Sequence, residues 1–256
     1  MILRAACPPA EVMTIPLVAS TFFGGQIEKT RRFLYEYGYM PNMISKSHLN
    51  RRLHRIEPTL WRVLFELLAQ AFKERNNSEL QTYAVDSLPI PVCDNIRIAR
   101  CRLAQGELWR GYSASKRRYF YGLKVQVVVT VEGVPVECCI LPGSLSDIQG
   151  LAELPLSLPA GAQVAADSAY TFYEWEDHLV ERDRVHLLVA RKANSKRRDT
   201  PPVHDYKQWL RRRVETIFGE IAKLFPKKIH ATTLSGFVLK ISLFLFAYQV
   251  DKAFIH

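Results

Sequence analysis

Two short apolar runs in this sequence end in the same dipeptide. Tyr83–Asp94 reads YAVDSLPIPVCD and Gln163–Tyr170 reads QVAADSAY, so each delivers an Asp-Ser pair, Asp86-Ser87 and Asp167-Ser168. Branched and aromatic residues in both runs predict strands, the first leaving through Pro-x-Pro. A carboxylate buried in such a run costs several kcal/mol unless it is paired, hydrogen-bonded or bound to a metal. Alone, Asp86 reads more simply as a turn cap or a strand end facing water. Two such aspartates on strands of one sheet are different. They supply the hard oxygen donors that Mg2+ or Mn2+ prefers.

A third acid is available further on. The helix predicted over Trp209–Phe225 (WLRRRVETIFGEIAKLF) buries Val214, Ile217, Phe218, Ile221 and Leu224, and carries Glu215 and Glu220 on opposite flanks of that stripe. Periodicity does not choose between the two glutamates. Asp94, in a loop after Pro-x-Pro, and Asp147, placed to cap a short helix at Ile148–Leu154, are rival acids that rank below Asp86 and Asp167.

The order of elements around these acids limits the fold. After the Asp86 strand come two strong strands, Tyr119–Val131 and Val134–Leu141, joined at Glu132-Gly133 as a hairpin. The Asp167 strand follows, then a helix Thr171–Arg182 that Thr171 could cap, then a strand His186–Ala190. Close connections make the first three strands antiparallel, and helical crossovers make the last two parallel additions. The expectation is an α/β, RNase H-like mixed five-stranded sheet flanked by helices, with aspartates on its first and fourth strands.

Ahead of this lies a basic, helical region. Ile27–Tyr39 predicts a helix, Met40-Pro41-Asn42 a turn, and SKSHLNRRLHRI a short helix capped by Ser45 or Ser47. Leu49, Leu53 and Ile56 share one face of it, while Asn50, Arg51, Arg52, His54 and Arg55 occupy the other. That resembles a helix-turn-helix recognition helix, although an ordinary solvated face reads equally well. Thr59–Lys73 predicts a core helix. The polar run Glu74–Glu79 divides the chain into a helical DNA-binding region, 1–78, and a catalytic domain, 79–256, which ends in a packing helix over Leu234–Ile255.

Composition matters here for its charge. A net charge of +10 over 256 residues calls for a polyanionic partner, nucleic acid before membrane. The cations cluster. Arg97–Arg118 sets Arg117, Arg118 and five other cations against the lone acid Glu107, with Trp109 and Tyr112 interleaved, and reads as an irregular insertion facing nucleic acid. Lys124 on the next strand joins the DNA-contacting cations. A second block, Arg191–Arg213, contains Lys196, Arg197, Arg198 and Arg211 and precedes Glu215, where phosphate contacts would lie near the chemistry. Five cysteines without a CxxC pattern predict reduced thiols. The apolar stretch Phe237–Val250 is interrupted by Lys240 and shorter than the ~20 residues of a bilayer span, so a cytoplasmic protein without a membrane partner is expected.

The phrases FFGGQ, RRFLYEYGYMP, SKSHLNRRLHRI, YAVDSLPIPVC, YFYGLKVQVVVT and VAADSAY resemble DDE-class insertion-sequence transposases, in particular insertion-sequence family nine-eighty-two. The resemblance covers nearly the whole chain and selects Glu215 over Glu220. It implies a bacterial, nucleoid-associated enzyme that binds double-stranded DNA at element ends and target as a homodimer. Asp86, Asp167 and Glu215 would be its catalytic triad, holding two Mg2+ or Mn2+ ions for cleavage and strand transfer. Arg211 fits the arginine such enzymes carry before the glutamate. The tyrosine and lysine expected around it fall instead on Gln208 and Ala222. The chain also starts later than the family's members, which predicts a shortened reading frame. A nuclease on the same fold that cuts without joining, and a non-catalytic DNA-binding derivative, are the alternatives.

Overall fold

The computed structural model describes residues 7–75, 81–113 and 116–254. Four helices come first: α1 (Pro9–Phe22), α2 (Ile27–Glu36), α3 (Lys46–Leu53) and α4 (Pro58–Arg75). Strands β1 (Thr82–Asp94), β2 (Arg110–Ser113), β3 (Arg118–Thr130) and β4 (Pro135–Pro142) follow. The remainder is α5 (Asp147–Ala152), β5 (Gln163–Ala166), α6 (Tyr173–Asp183), β6 (His186–Val189), α7 (Pro201–Leu224) and α8 (Leu234–Phe254). The chain separates into two compact units, one of Met1–Phe65 with Lys223–His256 and one of Glu66–Ala222. The sequence boundary at 78/79 lies outside the described residues.

The first unit is helical. α1 is largely apolar with little contrast between its faces, which suits a helix packed by several neighbours, and Pro9 opens it where no N–H bond is lost. It buries Val12 and Ile15 among Leu34 of α2, Met40 and Ile44 of the segment that follows, and Leu49 of α3. Ser45 caps α3 by accepting from the His48 amide at 3.3 Å. Segment 37–45 between α2 and α3 is longer than the roughly three- to four-residue turn of a helix-turn-helix. α8 packs on α1 in the same unit, and its residues Phe237, Ile241, Phe244 and Leu245 are buried. Gly25 shows why no larger residue turns the chain from α1 to α2. Its φ is +77°, and a Cβ there would come within 3.0 Å of the Phe244 ring. α8 has the length and composition of a membrane span, yet half of that stretch is buried inside the protein.

The second unit is built on one mixed sheet. β1 lies between antiparallel β3 and parallel β5, β5 pairs with parallel β6, and β4 adds to β3 as an antiparallel hairpin. These five strands, in the order β4-β3-β1-β5-β6, have the RNase H-like arrangement expected from the sequence. A sixth strand was not expected. Arg110–Ser113, within the insertion read as irregular, forms β2 against Arg118–Tyr121 of β3. Pro89 and Pro91 are tolerated in β1 because β5 pairs only with Thr82–Ala84, which leaves one edge of β1 unpaired beyond that point. Gly122 faces the irregularity between Pro91 and Cys93, where a Cβ would meet the Ile90 carbonyl oxygen at 2.3 Å. The core on one sheet face gathers Tyr83, Val85, Val128, Val164, Ala166, Leu179 and Val189.

Candidate active site

Strand register brings the two aspartates together. β1 and β5 pair Thr82 with Gln163, Tyr83 with Val164 and Ala84 with Ala165. Carried two residues further, the same register sets Asp86 level with Asp167. Pleating then fixes their direction. Tyr83 and Val85 share a core cluster with Val164 and Ala166, so Asp86 and Asp167, each out of step with those residues, face together on the other side. Each carboxylate accepts from the amide of its own following serine, Asp86 from Ser87 at 2.7 Å and Asp167 from Ser168 at 2.6 Å. The serine of the Asp-Ser pair thus orients the acid through its backbone.

Burial raises the Asp86 carboxyl from its ordinary 3.8 to about 6, the Ser87 amide opposes that rise, and the Asp147 and Asp167 carboxylates add to it. Lys124 opposes the rise weakly. Asp147, which the sequence ranked below Asp86 and Asp167 as a metal ligand and placed as a helix cap, lies beside Asp86 and has a different role in α5. Ser146, not Asp147, is the N-cap of α5, in a reciprocal capping box with Gln149. Asp147 is thereby free to accept from Ser87 Oγ at 2.7 Å and from Lys124 Nζ at 3.1 Å. The S-x-x-Q spacing was legible and would have predicted this. α6 likewise starts later than expected: Thr171 donates back to the Ser168 carbonyl at 2.8 Å instead of capping, and Phe172 takes the N-cap position.

Behind the aspartates lies a buried polar network. Gln126, opposite Ser87 on β3, donates to Tyr170 Oη at 3.0 Å and to the Asp147 carbonyl at 3.1 Å. Tyr170 is fully covered, and burial followed by the Asp86 and Asp147 charges pushes its hydroxyl well above the usual tyrosine range. The network ties the turn after β5 to the middle of β1 and β3. Through Ser87 Oγ, which donates to Asp147, it reaches the residue next to Asp86.

Glu215 stands apart from this pair. Its carboxylate is 64% exposed and bound to Arg211 Nε at 2.9 Å, an i,i+4 pair within α7. α7 is held at the other end of the strands. Tyr206 Oη reaches Gln163 Oε1 at 3.3 Å and Thr82 Oγ1 at 3.4 Å, and Arg213 donates to the Val131 carbonyl at 3.1 Å. Thr82 and Gln163 precede the aspartates by four residues, roughly 13 Å of strand. Glu220 is also exposed, so α7 buries neither glutamate. The side chain of Asp94 lies outside the described residues. Among the described residues no three acidic, histidine or cysteine side chains are gathered closely enough to hold a metal ion. Asp86 and Asp167 fit a hard divalent cation by chemistry and by shared direction, and the third donor is not assembled beside them.

The cations differ in how far their charge is already committed. Asn50, Arg51 and Arg55 are exposed around α3, whereas Arg52 is half-buried and donates to the Cys7 carbonyl. Lys124 belongs to the acidic site. In the second block Arg191 is buried against Glu176, Arg197 makes two hydrogen bonds to Asp177 at 2.7 and 2.6 Å, and Lys207 binds Asp199 at 2.7 Å. Arg197 also lies over the Tyr173 ring, 4.8 Å from its centre. Lys192, Lys196 and Arg198 remain exposed. Arg117 and Arg118 are exposed beside β2.

The family model described as "Transposase DDE domain" matches residues 77–232, well over half of the 256-residue chain. The chain belongs to the DDE transposase family. The match contains β1 with Asp86, the turn after β5 with Asp167, and α7 with Glu215. Proteins with this domain act on DNA in transposition, which agrees with the surplus of positive charge. No curated protein and no solved structure matches the chain.

Proposed function

We propose that this DDE transposase cuts DNA at the ends of an insertion sequence of family nine-eighty-two and joins them to target DNA in a metal-dependent reaction. The observation that carries the reading is the shared level and direction of Asp86 on β1 and Asp167 just past the end of the adjacent, parallel β5. Two carboxylates turned the same way from an apolar sheet repel one another, and a divalent cation relieves that repulsion. Asp86, Asp167 and Glu215 would together hold two Mg2+ or Mn2+ ions. The bound ions would neutralise phosphate charge and lower the pKa of the attacking water or 3′-hydroxyl. The Ser87 and Ser168 amides hold the aspartates in place, and the network of Gln126, Tyr170 and Asp147 keeps the two strands in register. Bringing Glu215 in requires α7 to release the Arg211 pair, for which DNA phosphates can compete.

Around the chemistry, Asn50, Arg51 and Arg55 would read element ends, while Arg117, Arg118, Lys196 and Arg198 would follow phosphates. Two copies on one DNA, in a bacterial cytoplasm, complete the reading. The test is Mg2+-dependent nicking and strand transfer on a duplex bearing the element end. Asp86→Asn, Asp167→Asn and Glu215→Gln should each remove both activities while DNA binding persists. Full activity in any one variant removes that residue from the triad. Nicking without joining by the wild type establishes a nuclease instead.

A further inference from the structure

The insertion between β1 and β3 has two unlike faces. Along β2, Gly111 and Ser113 turn inward, as does Phe120 of β3, and all three are buried. A Cβ on Gly111 would come within 2.5 Å of the Phe120 ring and of the Gly143 carbonyl oxygen, so that face is fully packed. The other face carries Arg110, Tyr112 and Tyr119. Tyr112 and Tyr119 are cross-strand partners, with ring centres 5.1 Å apart and planes inclined at 59°. The Arg110 guanidinium lies over the Tyr119 ring, 4.3 Å from its centre. Yet the tyrosines stay 53% and 47% exposed. Burying one face of a ribbon while leaving a tyrosine pair on the other creates an aromatic surface that the fold itself does not use.

The insertion that carries this surface is strongly basic. Arg97, Arg100, Arg102, Lys116, Arg117 and Arg118 are exposed in the insertion, and the single acid, Glu107, is bound to Arg110 at 3.3 Å. A polyanion is the complementary partner. Duplex DNA, however, offers phosphates and groove edges, while its base faces are stacked on each other. Aromatic faces beside cations suit a strand whose bases are unpaired, because each base can then stack on a ring while its phosphates meet the arginines. We infer that the Tyr112–Tyr119 face of the β2–β3 ribbon is a binding site for single-stranded DNA. This rests on the reading of the chain as a DNA-acting transposase, and it names a substrate form that duplex end recognition does not require.

The test uses the full chain and measures binding to oligothymidine, to oligouridine and to a blunt duplex of equal phosphate count across a salt series. Tyr112→Ala with Tyr119→Ala should weaken oligothymidine binding roughly tenfold or more at fixed salt, with the salt slope unchanged and duplex affinity kept. Tyr112→Phe with Tyr119→Phe should retain wild-type binding, since rings and packing survive, and this controls for misfolding in the alanine pair. Arg100→Ala with Arg102→Ala should instead flatten the salt slope for both kinds of DNA. Equal loss on duplex and single strand, no loss on either, or oligouridine bound more tightly than oligothymidine would each overturn the inference. The nicking assay is read separately. Its failure with oligothymidine binding intact removes the transposase reading and leaves the aromatic site standing.

Discussion

Burial of Asp86 makes stability depend on pH in a direction opposite to that of most carboxylates. Its folded pKa, about 6, lies above the ordinary 3.8, so the folded protein favours the protonated acid. The contribution to stability is therefore complete below pH 4 and is lost as pH rises through 6, on the order of 2–3 kcal/mol. Asp86→Asn should be more stable than the wild type at pH 8, and the difference should vanish near pH 4. Urea titrations at the two pH values measure it. Millimolar Mg2+ should raise the wild-type midpoint at pH 8 and leave the Asn variant unmoved. Identical pH profiles for the two proteins would show that Asp86 is not the source.

At the level of elements, the two Asp-bearing strands were legible because apolar residues on both sides of an aspartate leave little but a strand end in a covered sheet. The hairpin of β3 and β4 was legible from Glu132-Gly133. β2 was hidden, since its four residues alternate in burial while its inward positions, Gly111 and Ser113, are not apolar side chains, and tertiary pairing to β3 makes the strand. Of the site, Asp86 and Asp167 were readable from local sequence. The position of α7, set by Tyr206 and Arg213 reaching distant backbone and side chains, was not. Two glycines make the role of packing measurable. A Cβ on Gly150 of α5 would lie 1.9 Å from Gln126 Oε1, and Gln126 cannot turn away without giving up Tyr170 and the Asp147 carbonyl. Gly150→Ala should cost about 1–3 kcal/mol. Gly219, inside α7, has nothing within 4 Å of its missing Cβ. Gly219→Ala should gain up to about 1 kcal/mol from helix propensity. Thermal unfolding that shifts both variants the same way would contradict these two packing roles.

Across the whole molecule, a charge of +10 does not amount to ten free cations. The block Arg191–Arg213 spends Arg191, Arg197 and Lys207 on Glu176, Asp177 and Asp199. Lys192, Lys196 and Arg198 stay exposed and can meet phosphates. Replacing these three with Ala should flatten the slope of log K against log salt by about 0.9 for each phosphate no longer neutralised, similarly for specific and scrambled duplexes. Arg197→Ala should flatten that slope less than the triple change, because a phosphate must first displace the two hydrogen bonds that Arg197 makes to Asp177. A weakening confined to the specific duplex would mean that the block reads sequence instead.

The helical unit joins residues from opposite ends of the chain, with α8 lying on α1, and this has a consequence in time. A ribosome adding ~5–20 residues per second needs roughly 10–40 s to travel from the end of α1 to the start of α8. Throughout that interval α1 has α2 and α3 against it but lacks α8, while the strands that lie between α1 and α8 in sequence are already being made. α1 is thus covered in two stages, by α2 and α3 soon after it is made and by α8 long afterwards. Nascent chains halted before Leu234 should bind a chaperone at the α1 surface that α8 covers, and chains that include α8 should release it.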